Sequence, residues 1–208
     1  MSPETVLLLD VVMSAAISIV IAWPFRHRLK RSYVLIGLLL DTGLRYALLS
    51  LSHGSPTAWM TVLAFAAFSR LAWIDASTGR LPDALTLPLL AAGGLHAVLI
   101  GYPHWSNALL GACVGYLILF GIDRSWWALH KRHAIGGGDM KLLAALGAWS
   151  GIHTLLLLLS CACLMAASVG LATGRHHQRA ATLPFGPFLV IAALLQQLLM
   201  RHWAPPLI

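Results

Sequence analysis

Seven acidic residues, Glu4, Asp10, Asp41, Asp75, Asp83, Asp123 and Asp139, punctuate a largely apolar chain of 208 residues. An acid in or beside an apolar span is costly, so each needs a partner, a wet position or a function. Asp41 has Arg45 four residues on, on the same helix face, and the two can neutralise each other. Asp10 lies near an outer helix end, within reach of headgroup water. Asp123 adjoins Arg124 and reads as a solvated pair at the inner surface. Asp83 follows Leu81-Pro82 and precedes an apolar helix, where a carboxylate can accept from freed backbone N–H groups. Asp75 and Asp139 have no opposite charge at i+3 or i+4. Two such carboxylates on opposite-running spans can do acid–base work: one, ionised, activates water while the other, protonated, donates to a carbonyl oxygen. Proximity makes the second proton hard to lose, so the pair would titrate as a unit.

The flanking residues suit this chemistry. Asp75 closes the run Leu71-Ala72-Trp73-Ile74-Asp75, and Asp139 follows Gly136-Gly137-Gly138. Consecutive glycines permit backbone conformations closed to other residues and leave room for another backbone, so an extended substrate could lie beside them. On these residues alone, a plain helix-breaking loop and an ion pathway stay open beside catalysis.

The elements that must position these acids are membrane helices. Hydrophobic residues make up 59% and charged residues 10% of the chain, and the mean hydropathy is +0.79. A soluble domain is nearer half apolar and a quarter charged. Runs suited to spanning helices occupy 5–23, 33–51, 57–74, 84–101, 106–122, 140–150, 152–173 and 185–203. The expected fold is an all-α membrane protein, a polytopic bundle of about eight transmembrane helices. The sixth run is too short to cross: either its loop-side end is recessed, or 140–173 forms one broken hairpin. With the N-terminus outside and the first run retained as a span, the inside loops hold all of the 14 Lys and Arg except Arg45 and Arg201. Arg70, Arg80 and Arg124 are counted among the loop charges. The net charge of +7 is thus topological, with no basic domain for nucleic acid. The lipid bilayer is the evident partner. Cys113, Cys161 and Cys163 lie in apolar runs and read as packing residues. His130/His133 and His176-His177 lack a third ligand at a diagnostic spacing, so no metal and no cofactor is expected.

Three stretches resemble the signatures of prepilin leader peptidases, the GxGD-type membrane aspartic proteases that process type IV prepilins. Ile74-Asp75 through Leu81-Pro82-Asp83-Ala84-Leu85-Thr86-Leu87-Pro88 is similar to the first. Gly136-Gly137-Gly138-Asp139-Met140-Lys141-Leu142-Leu143-Ala144-Ala145-Leu146-Gly147-Ala148-Trp149 is similar to the second. Leu183-Pro184-Phe185-Gly186-Pro187-Phe188 resembles a third that opens the last helix. The resemblance implies an endopeptidase that removes a short basic leader from prepilins or pseudopilins, just before their apolar helix and usually after Gly. It implies a catalytic pair, Asp75 and Asp139, facing the cytoplasm at a bacterial inner membrane. Gly136, Gly137, Gly138, Asp83 and Lys141 are then supporting or substrate-binding positions.

The chain divides, on this reading, into two N-terminal helices (1–56) and a six-helix protease core (57–208). Many relatives also methylate the new N-terminus and carry a cytoplasmic loop with two Cys-x-x-Cys pairs. Here the corresponding loop, 24–32, is short and has no cysteine, so cleavage without methylation is expected. The competing classes are a transporter using intramembrane acids for ion or proton movement and a secretion-system membrane component.

Overall fold

A computed structural model of the chain describes residues 56–172 and 184–203. The two N-terminal spans, with Asp10, Asp41, Arg45 and loop 24–32, lie outside the described residues, as do Leu183 and His176-His177. The described elements are all helical: α1 (Pro56–Thr78), α2 (Asp83–Ile100), α3 (Trp105–His130), α4 (Gly137–Ser150), α5 (Ile152–Ala172) and α6 (Gly186–Trp203). The chain forms two compact units, Met1–Thr78 and Gly79–Ile208.

In the first unit, α1 carries a buried stripe, Ala64, Phe68, Leu71 and Asp75, at spacings of four, three and four residues. This is one face of a helix. Asp75 therefore continues an apolar face, and it does not end its element: α1 runs on to Thr78. There the Ser77 and Thr78 hydroxyls both donate to the Ile74 carbonyl (3.0 and 2.7 Å), and Gly79 follows with φ 62°. Arg70, counted above as a loop charge, is instead inside α1 and buried.

In the second unit, α4 is the core. Met140, Leu142, Leu143, Ala144, Ala145, Leu146, Gly147 and Ala148 are all buried, around its whole circumference. A helix that is apolar on every side belongs in an interior. It packs against α2, α3, α5 and α6. The large apolar side chains of the surrounding helices instead point outward: Leu95, Val98 and Leu99 of α2, Leu109 and Leu117 of α3, Leu156 and Leu164 of α5 are exposed. That is the surface of a protein solvated by lipid. Helices α2, α3 and α5 are long and apolar enough to cross a membrane.

Lipid tails are as apolar as leucine, so contact between such helices rests on close packing. Helices α3 and α4 achieve it with glycine. A Cβ at Gly111 would overlap the Gly147 carbonyl oxygen, and one at Gly115 would lie 2.9 Å from the Leu143 oxygen. Helix α2 is pinned differently. The Trp149 indole donates to the Leu89 carbonyl (2.9 Å) and lies where a Cβ on Gly93 would fall, 2.7 Å from its Cδ1.

Two boundaries depart from the sequence reading. The run 106–122 extends to His130, so Asp123 and Arg124 lie within α3. The short run gains three residues at its start, and Asp139 becomes the third residue of α4. Its other end breaks at Gly151 (φ 79°, ψ 169°), a conformation open in practice only to glycine, and α5 begins at once.

Candidate active site

Asp139 enters α4 through a short first turn. Gly136 precedes the helix in extended conformation, and its carbonyl accepts from the Asp139 N–H (3.1 Å). The carboxyl is half-buried at a helix N-terminus, where unsatisfied N–H groups favour an anion. None of the three preceding glycines has positive φ. The expectation of a backbone conformation closed to other residues is therefore not met. Their smallness matters at Gly138: a Cβ there would lie 2.7 Å from the Leu81 Cβ. Gly137 has nothing within 4 Å of its missing Cβ, and Gly136 has only the Asp139 Oδ2, at 3.6 Å. Space for a neighbouring backbone is present at those two.

Leu81-Pro82-Asp83 thus meets the start of α4. Lys141 completes the meeting, its Nζ donating to both carboxylate oxygens of Asp83 at 2.7 Å. Asp83 is the first residue of α2, and its side chain makes no capping bond. The expected capping role gives way to this ion pair. The Pro82 carbonyl accepts from both Leu85 and Thr86 N–H groups and starts the helix instead.

The residue that the sequence misjudged is Asp123. It is 3% exposed. Its Oδ1 accepts from the backbone N–H groups of Ala134 (2.8 Å) and Ile135 (3.1 Å), and its Oδ2 accepts from His133 Nδ1 (2.6 Å). A solvated pair with Arg124 is ruled out by that burial. Arg124 lies instead over the Trp127 ring at 5.2 Å, with Lys131 Nζ at 4.7 Å. Helix α3 ends at Lys131, whose φ of 56° turns the chain, and the loop then doubles back to Asp123. Seven residues separate Asp123 from His130, so the loop returns along α3 by about 10 Å, or two turns. The start of α4 is set back by about that amount from the end of α3.

The remaining candidates fall as follows. Asp75 is buried on α1 in the first unit, and Asp139 stands in the second. His130 stacks on Trp126 at 3.9 Å, away from the His133–Asp123 contact. Among the described residues, no group of three or more His, Cys, Asp or Glu gathers that could hold a metal. Phe185 opens α6, its carbonyl accepting from Phe188 and Leu189 N–H groups (3.1 and 3.2 Å), where the third motif places a helix start.

The model of the type IV leader peptidase family matches residues 59–171, from within α1 to the end of α5. The chain belongs to that family. It is similar to the prepilin leader peptidase/N-methyltransferases of Aeromonas salmonicida (43% identical over 59% of this chain and 43% of the relative), Burkholderia pseudomallei (42% over 71% and 52%) and Dickeya chrysanthemi (40% over 77% and 53%). The chain spans about half the length of the curated relatives it matches. No solved structure matches it. Family membership and three helices able to cross a membrane make this leader peptidase relative a membrane protein.

Proposed function

We propose that this chain is a membrane-embedded aspartic endopeptidase, with Asp75 and Asp139 as its catalytic pair, that removes the basic leader from type IV prepilins or pseudopilins. The supporting observation is the junction at the start of α4. Leu81 seats on Gly138 and Asp83 on Lys141, so the family's first two signatures meet around Asp139. Gly136 and Gly137 leave open space beside it for an extended substrate backbone.

In this reading one carboxylate takes a proton from water as the oxygen attacks the scissile carbonyl carbon. The protonated partner donates to the carbonyl oxygen. The tetrahedral intermediate then collapses, the amine leaves with a proton, and the pair is restored. Water can reach Asp139 because α4 begins set back from the end of α3. The same end of α3 carries Trp126, Trp127, Arg124 and Lys131, residue types that gather at a cytoplasmic membrane face. We place the site at the inner face of a bacterial inner membrane, within eight spans, and facing the cytoplasm. Within the second unit Asp83 and Asp139 lie in the first turns of their helices and Asp123 about two turns from the end of α3, whereas an ion path would call for acids in mid-span.

Methylation is not part of the proposed activity. The segment Pro24 to Ser32 is basic, short and free of cysteine, and gives little enclosure for a polar cofactor. Purified protein incubated with a prepilin and S-adenosylmethionine tests both claims. Asp75→Asn and Asp139→Asn should each lower cleavage by at least about 10²-fold. Full activity in either variant would remove the pair. Mass spectrometry should find the new N-terminus unmodified, and the mass of one added methyl group would reverse the second claim.

A further inference from the structure

We propose that Asp123 is a positioning residue for the reaction, setting how deep Asp139 sits along the bundle. The inference rests on the peptidase reading above. Its basis is the set of bonds that joins the two residues. Asp123 Oδ1 holds the N–H of Ile135, the next residue is Gly136, and the Gly136 carbonyl holds the N–H of Asp139. One carboxylate thus fixes the chain four residues before the reacting group.

The bond set saturates the carboxylate in a way that suits holding rather than chemistry. Oδ1 accepts two consecutive backbone N–H groups and Oδ2 accepts a third donor, from His133. A carboxylate only accepts, so the His133 proton on this contact resides on Nδ1. Bonds to a charged acceptor are stronger than neutral ones, and burial strengthens them further. The His133 side chain is 65% exposed and that of Asp123 4%.

The geometry has a second support. Helix α3 is locked to α4 by the glycine contacts at Gly111 and Gly115, so Asp123 is carried by a frame already in register with α4. From that frame it draws the loop 131–136 back by about two turns. Without the anchor, the loop could pay out beyond the end of α3 and let Asp139 ride outward. A displacement of about 1 Å at a reacting group can cost about 10²-fold in rate. The residue touches neither a substrate position nor Asp139, so its action is through the loop.

The test compares Asp123→Leu, which keeps bulk and loses every acceptor, with Asp123→Asn, whose Oδ1 still accepts both backbone N–H groups. Cleavage of a prepilin by the full chain is measured beside wild type and Asp139→Asn. For Asp123→Leu, kcat should fall about 10²-fold with KM little changed, and hydrogen exchange at the Ala134 and Ile135 amides should accelerate. Asp123→Asn should return kcat to within about tenfold of wild type. A role in stability alone would lower the melting temperature and leave the kcat of the folded fraction unchanged, which overturns the proposal. So would Asp123→Asn falling as far as Asp123→Leu. If Asp123→Leu is not recovered folded, His133→Ala, made at an exposed side chain, takes its place. There kcat should fall severalfold at constant KM, and an unchanged kcat overturns the anchor. A wild type that cleaves no prepilin defeats the peptidase reading and the positioning role with it. A wild type that cleaves, beside an inert Asp139→Asn and an unaffected Asp123→Leu, defeats the positioning role alone.

Discussion

Lys141 grips Asp83 symmetrically, its Nζ 2.7 Å from both carboxylate oxygens, across 58 residues of sequence. The pair ties the first turn of α2 to the second turn of α4. It does so near water, with side chains 33% and 57% exposed.

An ion pair so exposed contributes about 0–1 kcal/mol. Asp83→Asn should therefore shift the melting temperature little and keep kcat/KM within about tenfold of wild type, in contrast to Asp139→Asn. Side-by-side cleavage rates check this. A loss as deep as that of Asp139→Asn would make Asp83 part of the chemistry.

The contact beneath that pair gives a sharper prediction. Gly138→Ala drives a Cβ to 2.7 Å from the Leu81 Cβ, and overpacking of this kind costs about 1–3 kcal/mol. The atom in the way is the Leu81 Cβ rather than the movable end of its side chain. Leu81→Ala should therefore fail to restore activity to Gly138→Ala, and Leu81→Gly should restore part of it. Cleavage by the three double and single variants reads the outcome.

Close approach of α3 to α4 is tested at Gly111 and Gly147. Alanine at either one sets a methyl against the backbone of the other helix, so recovery of folded protein in detergent should collapse. Gly94, also mid-helix in α2, has nothing within 4 Å. Gly94→Ala should be neutral or raise stability by up to about 1 kcal/mol through helix propensity. Equal behaviour of Gly94→Ala and Gly147→Ala in thermal melts would refute the packing argument.

Chelation should leave cleavage intact, because the proposed pair activates water without a metal. Loss of activity in EDTA, with recovery on adding zinc, would replace that mechanism with a metal-assisted one.

What the sequence revealed followed from local patterns. Helix existence from 56 onward was legible because apolar runs of spanning length leave few alternatives. The start of α6 at Phe185-Gly186 was legible because Gly-Pro marks a helix entrance. Asp123 was misread because its neighbour in sequence is Arg124, while its partners, His133, Ala134 and Ile135, come from a loop that folds back. No spacing rule shows such a return. The constraint on Gly138 was hidden for a related reason: it comes from Leu81, and its φ is not positive. Arg70 was taken for a loop charge because a cation in an apolar run suggests a boundary, yet α1 continues eight residues past it. The juxtaposition of Asp75 and Asp139 is carried by the proposal above and by its mutants.

Helix α4 also has an awkward birth. At about 21 Å it is too short to lodge across a bilayer unaided. Its buried circumference leaves it no face to offer lipid. Of the four described helices that pack against it, α2 and α3 are synthesised before it, and α5 and α6 emerge after it. In a two-stage assembly, where spans insert first and pack second, it cannot be settled at the first stage. Its seat exists only once the later helices have folded over it. A ribosome-stalled chain ending soon after Ser150 should therefore leave α4 open to protease, and one that includes α6 should protect it.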